Sequence, residues 1–337
     1  MSPASNPISR RIMLAATAAG GLLTETLGWR FIFWINVPIG IVLIALVAAR
    51  LRESFGQPAK LDITGLALVA AAALALVWGL IRGNQTGWLS GEVIGALTAG
   101  ILLLLAFIAI ERRSAAPMIP MRLFALRPFA AGVASSFLFY AAMYGVLFLL
   151  PQFLQVTLGV SPLGAGLRLL PWTSTLFLTA PIAGAVVQTF GERRLVVIGL
   201  LMQAAGLGWI ALEVPAGATY AGMVAPLIMA GVGVSMAMPA AQNAILSSVA
   251  VAEMGKASGV FNMGRFLGGM FGVALLVSIL SMHGAVDTPA HFSKGFTAAM
   301  RVAAVLSLAG AFVGLWLPAH RSVVAALAPQ VSEVNQR

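Results

Sequence analysis

Tyr140, Met143, Tyr144 and Phe148 recur at intervals of three and four within an apolar run. That spacing sets two phenols, a thioether and a phenyl ring on one face of a helix. Such a face can hold a large apolar molecule by area, or a cation by attraction to the ring faces. Packing against a neighbouring helix or lipid is the commoner use of the same pattern. Trp172 is a weaker aromatic candidate. The polar residues embedded in apolar runs are Arg168, Gln242, Asn243, Asn262, Arg265 and Arg301. A central arginine in a membrane span costs roughly 2.5–3.5 kcal/mol, so it needs a reason. Arg168, just before Pro171, either snorkels to an interface or lines a cavity. Arg301 reads as a snorkelling anchor near a helix start, and Arg265 as a group that contacts carbonyls or a partner acid. Gln242 and Asn243, near Pro239, and Asn262 either line a cavity or bond between helices.

Other chemistry is sparse. The chain has no cysteine, which excludes disulfides, thiolate metal sites and iron–sulfur clusters. His283, His291 and His320 lack the spacing of metal ligands. No phosphate loop, H-E-x-x-H or G-x-S-x-G occurs, so neither an enzyme nor a cofactor is expected. Proton coupling within a membrane needs a carboxylate that can be desolvated. Glu25, Glu92, Glu111 and Glu213 fall at span ends and Asp62 begins one, so no mid-span acid is evident.

The elements that must position these residues are membrane spans. Hydrophobic residues make up 60% of the 337 and charged ones 9%, which excludes an ordinary soluble domain. Nine stretches of about twenty residues are almost wholly apolar: 31–49, 61–81, 92–110, 129–150, 165–187, 195–213, 221–244, 257–280 and 297–317. Helices of that length match a hydrocarbon layer of roughly 30 Å. The net charge of +10 follows the loops rather than a nucleic acid site. One side carries Arg50, Arg52, Lys60, Arg112, Arg113, Arg122, Arg127, Arg193, Arg194 and Lys256, and the opposite short loops only Arg82 and Lys294. Basic residues favour the cytoplasm, which puts the first set and the tail after residue 317 there. Within the spans, Gly268-x-x-x-Gly272 and Gly231-x-Gly233 permit close helix approach, read as ordinary packing in preference to a hinge.

Four blocks carry a family resemblance. They are Gly20-Gly21-Leu22-Leu23 through Gly28-Trp29-Arg30 to Pro38-Ile39-Gly40; Pro151-Gln152-Phe153-Leu154-Gln155 with Gly159–Gly166 and Pro171; Gly259 to Gly272 with Asn262 and Arg265; and Glu111-Arg112-Arg113 to Pro117 with Arg122-Leu123-Phe124. Together these blocks, over about residues 20–318, resemble the fourteen-helix drug:proton antiporters (EmrB/QacA-like) of the major facilitator superfamily. The resemblance implies an all-α polytopic bundle lacking its first four helices. Residues 1–28 would be a remnant of helix five with a leader outside the family pattern, 29–60 helix six and a cytoplasmic loop, and 61–124 two linker helices. Residues 125–318 would form the C-terminal six-helix half and 319–337 a cytoplasmic tail. Ala16 and Thr17 stand where the family carries Gly-Pro, which leaves the bend of helix five in doubt. Ser9-Arg10-Arg11 reads as a basic flank of a shortened helix in preference to a twin-arginine signal. Gly184 to Arg194 resembles the second copy of a cytoplasmic loop motif. Gln188 stands at its acid, so Arg193 and Arg194 serve either as a latch without a charge pair or as topology anchors.

The function implied is export of hydrophobic or cationic small molecules from the plasma membrane in exchange for protons, with the coupling acid in the absent half. Two alternatives stand beside it. One is a non-transporting fragment or scaffold that pairs with a membrane or periplasmic partner, the other an exporter of one endogenous metabolite.

Overall fold

The computed structural model describes residues 30–50, 62–114, 117, 119–215, 217, 219–250, 253–284 and 288–318, with no strand among them. The expected helix-five remnant, the twin-arginine flank and the tail lie outside these residues. The helices are α1 Phe31–Trp34, α2 Asn36–Arg50, α3 Ile63–Thr86, α4 Gly91–Arg113, α5 Arg127–Leu158, α6 Pro162–Arg168, α7 Leu170–Phe190, α8 Glu192–Glu213, α9 Tyr220–Leu246, α10 Met254–His283 and α11 Pro289–Gly314. A 3-10 turn, Met121–Ala125, leads into α5.

Local chemistry sets the ends. Side-chain oxygens of Asp62, Ser90, Thr219 and Thr288 accept from amides in the first turns of α3, α4, α9 and α11. Gly159, left-handed at φ 63°, closes α5. Among the described residues eight helices are long and apolar enough to cross a bilayer, and the chain is an integral multi-pass membrane protein.

Two of the nine expected spans come out differently. The stretch 31–49 divides at Ile35 into α1 and α2, and α2 has 15 residues, about 22 Å, which is short of the hydrocarbon thickness. Pro38 explains the division, because it has no amide to donate to the carbonyl of Trp34. No residue of α2 is buried. The stretch 165–187 divides at Leu169 into α6 and α7, where Pro171 removes another bond of the helical ladder.

From α5 onward the helices form one packed bundle. Helix α11 lies between α5 and α8, α9 between α7 and α8, and α10 along α5. Phe153 of α5 stacks on Phe296 of α11 with centroids 4.3 Å apart. Glycine decides where two of these seams close. A Cβ on Gly268 or Gly272 would strike the carbonyl oxygens of Phe137 or Ala141, so α5 and α10 touch backbone to backbone there. Gly233 does the same against Gly199 and Gln203 of α8, while Gly231 leaves room for Trp172 and Thr175 of α7.

The hairpin α3–α4 joins the bundle through α3, which lies on α10. Ser278 donates to the carbonyl of Leu80 at 2.7 Å across that contact. At the hairpin tip Arg82 pairs with Glu92 at 2.8 Å. At the opposite end Glu111 is buried, and its carboxylate accepts from the amide of Ile119 at 3.4 Å.

Candidate functional site

The seam of α5 and α10 is tight at Gly268 and Gly272 and opens alongside them. Larger side chains hold the walls apart, and α3 supplies a third wall. The result is an apolar cavity of about 560 Å³, lined by Tyr144 and Phe148 of α5, Phe266, Gly269, Met270, Val273, Ala274 and Val277 of α10, and Val77 and Ile81 of α3. That volume is within the usual range for small-molecule sites.

One cation stands at its edge. The Arg265 guanidinium donates to the Tyr144 hydroxyl from Nε at 3.2 Å and Nη2 at 3.0 Å. It also lies 5.2 Å from the ring centroid of Tyr140 and 5.6 Å from that of Phe266. Tyr140 is fully buried and packs on the Tyr144 ring at 5.9 Å. Arg265 is in no ion pair with a described residue. It lies eleven residues into α10, about 16 Å along a helix of about 45 Å.

The structure thus brings Tyr140, Tyr144, Phe148 and Arg265 into one place. Met143 is half-buried against the core instead and does not line the cavity. Trp172 is buried against Gly231. Arg168 lies 5.3 Å from the Tyr220 ring, and its carbonyl accepts from the Tyr220 hydroxyl at 3.2 Å, which ties α6 to the start of α9. Asn262 donates to the carbonyl of Ser258 on its own helix at 3.0 Å. Gln242 is exposed. Arg301 lies farther from its helix start than expected, because α11 begins at Pro289.

Asn243 has a different partner. Its Nδ2 donates to Glu192 at 2.9 Å, joining α9 to the first turn of α8. Glu192 is 4% exposed, a buried acid that sequence reasoning missed while looking to Gln188, whose side chain is outside the described residues. The missed signal is position: an acid at the first residue of a helix meets the positive end of its dipole. Arg193 is half-buried and Arg194 exposed, neither in an ion pair with a described residue. Glu111 was also undervalued, since a residue at a span end is here packed beneath the following loop. Phe266, Met270, Val77 and Ile81 of the cavity were not singled out either.

The family model described as Major Facilitator Superfamily matches residues 132–334, more than half of the chain. The chain belongs to that superfamily. Curated relatives within it include the tetracenomycin C resistance and export protein of Streptomyces glaucescens, 33% identical over 78% of this chain and 50% of that protein. The multidrug resistance protein Stp of Mycobacterium tuberculosis is 32% identical over 78% of this chain and 49% of that protein. The cephamycin export protein CmcT of Amycolatopsis lactamdurans is 32% identical over 93% of this chain and 66% of that protein. The chain thus spans about half the length of the first two relatives and about two thirds of the third.

Proposed function

We propose that this chain is the cavity-bearing part of a secondary exporter of hydrophobic small molecules, working in the plasma membrane by exchange for protons. The cavity of about 560 Å³ carries the reading, because its lining is apolar and it opens within the spans, where hydrophobic molecules partition. The similarity to proteins named for antibiotic export and multidrug resistance supports it. In this reading α3 and α4 are the linker helices of the fourteen-helix branch, and α5 to α11 are the C-terminal half. The excess of basic residues on one set of loops supports a cytoplasmic position for that side and for the C-terminus.

Proton exchange needs a carboxylate that alternates between charged and neutral forms. Glu111 and Glu192 are buried, but neither lines the cavity. Coupling therefore draws on groups beyond the lining described here. This favours a second reading, in which the chain acts only with further helices, and the coverage of the relatives supports that reading as well. Reconstitution into proteoliposomes with an imposed pH gradient and a preloaded hydrophobic dye separates the two. Efflux from this chain alone establishes a self-sufficient exporter. Efflux only from a longer chain establishes a part, and efflux from neither removes the transport reading.

A further inference from the structure

We infer that the cavity selects a lipophilic molecule bearing one acidic group, held at Arg265, and disfavours lipophilic cations. The inference rests on the reading of that cavity as the export site and adds the charge of its substrate.

Tyr144 and Phe148 offer π-faces and a hydroxyl that a cationic drug could use. The protein's own cation already occupies that place. Arg265 lies over Tyr140 and Phe266 and donates twice to the Tyr144 hydroxyl. A second cation entering the cavity would meet a like charge in a low-dielectric setting, where repulsion is strong.

The complementary case is an anion. Guanidinium carries five N–H donors, and only Nε and Nη2 donate to described residues, which leaves Nη1 available. Among the described residues no carboxylate pairs with it, and its charge meets ring faces and a phenol. A carboxylate or phenolate reaching that edge would gain a charge-assisted hydrogen bond. The rest of such a molecule would lie along Phe148, Met270, Val273 and Ile81. A resident phospholipid fits less well, because its headgroup stays at the membrane surface, whereas Arg265 is about 16 Å into α10.

The test uses the chain in nanodiscs of phosphatidylcholine and three fluorescent probes with one apolar body: dansylaminoundecanoic acid, its methyl ester, and the matching amine. The carboxylate is expected to bind at least tenfold tighter than the amine, about 1.4 kcal/mol, with the ester between them. Arg265→Gln should remove the carboxylate's advantage and leave ester binding nearly unchanged, while Arg265→Lys should retain part of it. Val77→Phe with Ile81→Trp, which fills the α3 wall, should weaken all three. Ester binding with no preference between acid and amine overturns this inference alone. So does a preference that survives Arg265→Gln, or competition of the acid by phosphatidylglycerol. Absence of binding by every probe, or binding indifferent to the filled wall, removes the cavity reading itself.

Discussion

The seams α8–α9 and α5–α10 are both closed by glycine, and the apolar cavity of about 560 Å³ lies beside the second. Along α8–α9 small residues continue in both directions: Gly199 meets Gly233 and Ala237, and Gly206 meets Pro226 and Ala230. The helices stay in contact, and Gln203, at zero exposure, is sealed between them. Along α5–α10 Gly145 meets the carbonyl of Gly272 in the same way. Beside that seam Tyr144 and Phe148 of α5 and Phe266 and Met270 of α10 line the cavity, with α3 as its third wall. In lipid, helices gain no hydrophobic energy from meeting, so contact follows wherever backbones can approach. The residues that flank a glycine-closed seam therefore decide whether it is a weld or the floor of a site.

The strongest way to break the comparison is to abolish both welds. Gly272→Leu and Gly233→Leu each drive a side chain into opposing backbone, against Ala141 in one seam and Gly199 in the other. Each should destabilise the purified protein by about 1–3 kcal/mol or more, read as a lower melting temperature in detergent. The milder Gly272→Ala and Gly233→Ala should separate in function. Only the α5–α10 change should weaken binding of a hydrophobic probe in the cavity. Equal loss of binding from both would mean that the seams are not independent.

Much of this contrast was legible in the chain. The Gly268-x-x-x-Gly272 spacing announces a close approach, and the run from Tyr140 to Phe148 announces a bulky face beside it. What could not be read is which partners those faces meet. Arg265 and Tyr144 are 121 residues apart, and nothing local tells a guanidinium which helix it will face. The α3 wall was equally hidden, because Val77 and Ile81 are the same kinds of residue as those turned to lipid. Pro38 and Pro171 were visible, but apolar length alone hid the helix breaks they cause. Glu192 was overlooked because an acid beside two arginines reads as a solvated loop, whereas Asn243, which binds it, comes from a distant part of the chain.

Glu192 also sharpens the comparison, since it shows that the α8–α9 weld has a polar clasp at one end. Glu192→Ala should cost about 1–3 kcal/mol, because the Asn243 amide then loses its acceptor in a half-buried place. Glu192→Gln keeps an acceptor oxygen and should recover part of the loss. Thermal unfolding of the two variants beside Asn243→Ala checks this. If the Glu192→Ala and Asn243→Ala effects simply add in the double variant, the two residues do not act as one unit.

The smallest expected effect concerns the third wall. Ser278, next to the cavity residue Val277 and one helical turn from Ala274, donates to the Leu80 carbonyl and links α10 to α3. That carbonyl is also part of the helical ladder of α3, so losing the hydroxyl strands no donor and leaves the backbone paired. Interhelical bonds of this kind average about 0.6 kcal/mol, and Ser278→Ala should shift global stability by no more than that. Its consequence should instead be local. With cysteines placed at Val77 and Val273 in this cysteine-free chain, the rate of bridging by a short bifunctional reagent reports how often the wall stands open. Ser278→Ala should change that rate while the melting temperature barely moves. A wall held only by apolar contact would show no change in either.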